Sequence, residues 1–205
     1  MSKKVAILQS NYISWKGYFD IIDSVDEFIF YDDLQYTKND WRNRNKIKTG
    51  YGLKWLTIPC GTNTKRLICE VKLENNSWQR EHWGIIEQYY KKCSHFKDYY
   101  SFFEELYLSV NYSNLSDMNQ YMIKKIATEI LDIKTNFDDS RKYNLTKTKG
   151  ERVLELLDKV NATHYLSGPA AKDYIKEECF RDVCIELEWM DYSKYREYPQ
   201  LYPPY

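Results

Sequence analysis

Apolar and polar positions along this chain switch between two periods, and the switches mark its elements. Lys4 to Leu8 holds four consecutive apolar residues and ends in polar ones, which predicts a buried strand. Trp15, Tyr18, Phe19, Ile22 and Val25 then recur at helical spacing, behind Ser14 as a cap. Glu27 to Tyr31 is a second strand, ended by Asp32-Asp33. Strand, helix and strand with short connections predict a right-handed βαβ unit and a parallel pair. Arg44 to Lys48 and Lys54 to Pro59 flank a Gly-rich turn and predict a β-hairpin. Ile68 to Leu73 alternates and predicts a further strand.

From Trp78 the period turns helical. One stretch runs to about Leu108 with a break near Ser94, a second covers Asp117 to Leu131 behind Ser116, and a third covers Lys149 to Val160. His164 to Ser167 reads as a strand, Ala170 to Glu178 as a helix, and Val183 to Trp189 as a last strand. The tail YREYPQLYPPY, with three prolines, predicts no regular structure. The fold class expected is α/β: a Rossmann-like three-layer parallel-sheet core with a β-hairpin, as one domain over 1–205 with a helical insert at about 78–131.

Composition narrows the function classes. Thirty basic and 30 acidic residues leave no net charge, so no global field favours nucleic acid or anionic lipid. Aromatics reach 17%, which fits an ordered globule. Five cysteines lack a paired CxxC spacing, so neither a zinc site nor a disulfide framework is expected. No metal or redox cofactor is signalled. No signal peptide or apolar run of about 20 residues is present, which points to the cytoplasm and to no membrane span.

In open parallel sheets, ligands bind beyond the carboxyl ends of the strands. Three such ends are polar here: Gln9-Ser10-Asn11-Tyr12, Asp32-Asp33-Leu34-Gln35-Tyr36 and Ser167-Gly168-Pro169. The topology brings them toward one edge. Asp32 and Asp33 point to opposite sides, so one is expected to face the crevice as a partner for an ammonium or hydroxyl, a base or a metal ligand. Lys38, Asn39, Arg42, Asn43 and Arg44 surround Trp41, and such cations with amides and a ring suit a phosphate, a nucleotide or single-stranded RNA. His82 shares a helical stripe with Trp78, Ile86, Tyr89 and Cys93. A core histidine and a general base both need that burial, and position leaves both open. No Walker loop, GxGxxG, GxSxG, HExxH or His-x-Gly-His is present.

Read in order, VAILQSNYISWKGYFDIID, EFIFYDDLQYTKNDWRNRNKIKT, WLTIPC, SWQREHW with YYKKCSHF, and THYLSGPAAKDYI with EWMDYSKYREYPQ resemble the WbqC-like protein family of bacterial polysaccharide gene clusters. The resemblance implies a place in O-antigen or related surface-glycan synthesis, near amino sugars that carry acyl or aminoacyl groups. It also implies proline at the position of Ser10, a difference expected to change loop stiffness alone. Gln9, Asn11, Tyr12, Asp32, Asp33, Gln35, Lys38, Asn39, Arg42, Asn43, Arg44, His82, Ser167 and Gly168 fall in its motifs.

The expected function is transfer of an acyl or aminoacyl group to the amine of a nucleotide-linked amino sugar. Arg42 and Arg44 would hold the diphosphate, Asp32 or Asp33 the amine or hydroxyls, and His82 would act as base. The donor is open, with aminoacyl-tRNA as one candidate. Two alternatives stand beside it: a Rossmann-like nucleotidyl-transferring or adenylate-forming enzyme, and a non-catalytic scaffold in a glycan-synthesis complex.

Overall fold

The computed structural model describes residues 2–173 and 175–202. In chain order the elements are β1 (Lys4–Leu8), α1 (Lys16–Asp23), β2 (Glu27–Phe30), β3 (Arg44–Thr49), β4 (Gly52–Thr57), α2 (Ser77–Tyr90), α3 (Phe96–Leu108), α4 (Leu115–Lys125), β5 (Asn136–Asp139), α5 (Lys149–Lys159), β6 (His164–Ser167), α6 (Glu177–Asp182) and β7 (Glu186–Trp189). They fall into two compact units. The first takes 1–10, 14–34 and 123–195, and the second takes 11–13, 35–122 and 196–205.

The first unit is built on a five-stranded sheet, ordered β5-β2-β1-β6-β7, with every pair parallel. Alternation sorts its strands onto two faces. Ala6, Phe28, Phe30 and Leu166 pack with Tyr18, Phe19, Ile21 and Ile22 of α1, and with Ile123 and Ala127. Val5, Ile7, Ile29 and Tyr165 pack with Leu156 and Leu157 of α5 and Phe180 of α6. Helices therefore cover both faces, the three-layer Rossmann-like arrangement. Each fully buried large side chain of these layers contributes roughly 1.5–3 kcal/mol.

The second unit holds the antiparallel hairpin β3–β4, paired from Arg44↔Thr57 to Thr49↔Gly52, and the helices α2 and α3. An aromatic core of Tyr12, Trp78, Trp83, Tyr107 and Tyr112 lies among them. No helix among the described residues is long and apolar enough to cross a membrane.

Several expected elements change. Trp15, not Ser14, holds the N-cap position of α1, and its side chain makes no capping bond. Ile68 to Leu73 forms a short 3-10 turn at Ile68–Glu70, because Ile68, Val71 and Leu73 all bury. A period of two would have sent alternate residues outward. Ala170 to Glu178 is a 3-10 turn at Pro169–Asp173 followed by the short α6. β5 has no counterpart in the sequence reading. Part of the proline-rich tail, residues 203–205, and Tyr174 lie outside the described residues.

Candidate functional site

The seam between β1 and β6 is where the strand order reverses. Its ladder pairs Lys4 with His164 and Val5 with Tyr165. Ala6, Ile7 and Leu8 of β1, and Leu166 and Ser167 of β6, run past that ladder. By contrast, β6 and β7 stay paired through Ser167↔Trp189. The ladder is thus short at the topological switch point, where an open α/β sheet takes its ligand beyond the carboxyl edge.

The residues at that edge are fixed by backbone bonds. The Ser10 N–H donates to Asp32 Oδ1 at 2.8 Å, and both residues are fully buried. The Tyr18 hydroxyl donates to the Gln9 carbonyl at 3.0 Å. Ser167 is 4% exposed, and its carbonyl accepts from the Met190 N–H at 2.9 Å. Gly168 follows, and a side chain there would meet the Tyr192 hydroxyl 3.8 Å away. Tyr192 packs edge-on against Trp15 at 4.8 Å, and Trp15 is 49% exposed. Trp15 folds back over α1, such that a Cβ at Gly17 would lie 2.3 Å from its ring. Burial, with the charge of Asp20, pushes the Tyr192 hydroxyl up to about 12, so it stays a hydrogen-bond donor at neutral pH.

The two adjacent carboxylates part, as expected of neighbours on a strand. Asp32 turns to the Ser10 amide, whereas Asp33 pairs with Arg152 of α5 and accepts from Ser140. Arg152 also lies 5.1 Å over the Tyr31 ring. Asp33 therefore ties strand ends to a helix and has its charge matched. Ser10 is more than a loop stiffener, since a proline in its place could not donate to Asp32. Its Oγ is buried and has no partner among the described residues.

Farther along the same edge, Lys124 lies 5.3 Å over the Phe30 ring and 6.0 Å over Phe137. Burial lowers the pKa of its ammonium, with Asp139 opposing. Asp139 itself is held by Arg141 at 2.7 Å. Lys124 makes no ion pair within 4.0 Å among the described residues, and Asp139 and Asp138 act on it from farther away.

The other candidates sit in the second unit. His82 is 3% exposed, its Nδ1 lies 2.7 Å from the Tyr12 hydroxyl, and the ring hydrogen-bonds the backbone of Thr57. Tyr12 meets the Tyr107 hydroxyl at 2.9 Å. One proton assignment satisfies all three groups: His82 donates to the Thr57 carbonyl, Tyr12 donates to Nδ1, and Tyr107 donates to Tyr12. Burial depresses His82 to about 4, so it is neutral at pH 7. The same burial holds the Tyr12 and Tyr107 hydroxyls above their ordinary value. This enclosure differs from the open ring nitrogen that a general base requires.

Asn43 is also internal, its Nδ2 donating to the Ile58 carbonyl at 3.0 Å. Arg42 pairs with Asp40 at 2.8 Å, and Arg44 stacks 4.1 Å over Trp55. Gln35 makes an isolated bridge with Leu67, while Lys38 and Asn39 are exposed. Asn11 is half-buried.

Lys124, Trp15 and Tyr192 were not among the residues singled out by sequence. Extending the strand-end rule to the last strand reaches Met190-Asp191-Tyr192. Lys124 gives no comparable signal, since its amphipathic helix positions its stem rather than its charge. After Ser167-Gly168 the described residues form a 3-10 turn, Pro169–Asp173, in place of the expected α-helix, which together with the βαβ start supported a nucleotidyl-transfer reading.

Comparison with other proteins bears on the whole chain. A Mycobacterium tuberculosis protein, named uncharacterized protein Rv1507c, is 43% identical over 202 residues, 98% of this chain and 87% of its own length. No solved structure matches. The sequence profile of one family spans residues 9–205, from the end of β1 onward, and agrees with the motifs read in order. The chain belongs to the WbqC-like protein family.

Proposed function

We propose that the protein is a transferase of surface-glycan synthesis, placing an acyl or aminoacyl group on the amine of a nucleotide-linked amino sugar. The observation that carries this reading is the switch point between β1 and β6 with a carboxylate, Asp32, held at its edge on the Ser10 amide. A carboxylate so oriented suits an ammonium, and the aromatic pair Trp15 and Tyr192 suits a sugar ring or a base. Lys124 is a cation for the diphosphate at the same edge. Ser167 and Gln9 supply further polar groups.

The chemistry asked of these groups is modest. The sugar ammonium gives a proton to solvent near the negative charge of the buried Asp32, and the freed amine attacks the carbonyl carbon of the donor. A C–N bond forms as the bond to the donor oxygen or sulfur breaks, and the leaving group takes the second proton of the amine, the first having gone to solvent. His82 has no part in this reading, because its nitrogens are engaged inside the second unit.

Calorimetry with a panel of nucleotide-linked amino sugars tests the proposal. One of them should bind, and Lys124→Ala should weaken it about tenfold, the loss of one charge-assisted contact. Asp32→Asn, which removes the negative charge at the strand end, should weaken binding of the sugar ammonium and slow transfer from activated acyl donors. No binding by any of the panel, or full transfer by Asp32→Asn, would overturn it.

A further inference from the structure

The β3–β4 hairpin has two unlike faces. Ile47 and Leu56 bury on one, at 6% and 1% exposure, and the Asn45 amide there donates to the carbonyls of Tyr12 and Ile13. Strand alternation places Arg44, Lys46 and Lys48 on the other, and the register sets them opposite Thr57, Trp55 and Leu53. This second face is open around Trp55, which is 39% exposed, Leu53 at 58% and Tyr51, at the turn, at 93%, whereas the Lys48 ammonium donates to Gln200. Trp41, just before β3, is 49% exposed, with its ring centroid 5.8 Å from that of Trp55.

Charge and ring are joined here. The Arg44 guanidinium lies 4.1 Å from the Trp55 ring and the Lys46 ammonium 4.8 Å. Residues 44–57 contain Arg44, Lys46, Lys48 and Lys54 and no acidic residue, in a chain whose net charge is zero. The hairpin is thus a local basic patch on a neutral molecule. Two indoles set side by side in water make few packing contacts, so the fold itself gains little from them.

We propose that this face binds single-stranded nucleic acid, with bases stacked on Trp41 and Trp55 and phosphates on Arg44 and Lys46. Stacking on exposed rings requires unpaired bases, and Arg44 and Lys46 lie close enough to the Trp55 ring to meet the phosphates of a strand stacked there. A membrane-surface anchor arranges these groups otherwise, with rings projecting into the acyl region and cations kept behind at the headgroups. On this hairpin the cations lie against the indole itself. That such an RNA delivers the acyl group rests on the transfer reading above, whereas the binding does not.

Fluorescence anisotropy with a labelled single-stranded RNA of about a dozen nucleotides tests the proposal, beside DNA of the same sequence and the RNA duplex. The single strands should bind, and RNA tighter than DNA would mark the carrier as RNA. Trp55→Ala should weaken binding about tenfold, while Trp55→Phe should retain most of it, since a smaller ring still stacks. Arg44→Ala and Lys46→Ala should each flatten the salt dependence by about 0.7 in the logarithmic slope. Circular dichroism and thermal unfolding confirm that each variant is folded. Absence of binding, a Trp55→Ala protein that binds as well as the original, a duplex bound more tightly than the single strand, or association with phosphatidylglycerol vesicles alone would each overturn the proposal. Calorimetry with nucleotide sugars on Trp55→Ala separates the two readings. Sugar binding without RNA binding assigns this face to the nucleic acid, and RNA binding by the wild type without any sugar binding leaves this proposal standing and removes the transfer reading.

Discussion

At the residue scale, two buried polar groups make opposite demands on the fold. The Ser10 hydroxyl has no partner among the described residues, but its N–H serves the buried Asp32 carboxylate. Ser10→Ala should therefore be neutral or slightly stabilising, within about 0.5 kcal/mol, whereas Ser10→Pro should cost about 2 kcal/mol by removing one donor from a buried charged acceptor. Urea denaturation of the two variants checks this. His82 gives a pH signature. Its folded value of about 4 lies below the ordinary 6.5, so the unfolded chain binds the proton first as pH falls. Stability is lost between pH 6.5 and 4, by about 3 kcal/mol at most, and no further loss from this group follows below that. His82→Phe should be less stable at pH 7 and should lack this part of the slope, read as the difference between the two proteins in urea titrations at pH 7 and pH 4.5.

At the scale of elements, the tie from Arg152 of α5 to Asp33 joins the end of β2 to the helix layer, and Ser140 brings in the end of β5. Arg152→Ala leaves that carboxylate without its counter-charge and should cost about 2 kcal/mol. A thermodynamic cycle with Asp33→Ala should recover much of the loss. The same region tells how far sequence can be read. Strands β1, β2 and β6, the hairpin and the α2–α3 pair were legible because their apolar residues keep one period over a full element. β5 was not, since Asn-Phe-Asp-Asp is a poor strand by propensity and forms through pairing with all of Glu27–Phe30. Ile68 to Leu73 misled in the other direction, because its alternation reflects burial of a turn. At the site, Gln9, Asp32 and Ser167 follow from the strand-end rule. The division of labour between Asp32 and Asp33 does not, since it depends on an arginine 119 residues away.

On the scale of the whole molecule, chain order and spatial order disagree. The first unit is interrupted by residues 35–122, and β5, β6 and β7 all follow the interruption. A fragment ending at residue 122 keeps β1 and β2 but neither α5 nor α6, so it exposes the apolar side of both strands. That fragment should give the far-ultraviolet circular dichroism of a largely unfolded first unit, without a cooperative thermal transition. The sheet order has one more implication. β5 and β7 form its two margins, each four residues long, and they carry Asp138, Asp139, Glu186 and Glu188. Another copy laying its margin alongside would bring carboxylate against carboxylate. With a sequence pI of about 6.8, the chain has little net repulsion near neutral pH, and these short borders, whose carboxylates sit beside Lys142, Arg141, His164 and Lys4, are expected to discourage sheets of separate molecules from joining. Acidification through the carboxylate range removes that protection, so light scattering should rise before the tryptophan fluorescence reports unfolding, and Asp138→Asn with Glu186→Gln should shift the onset toward neutral pH.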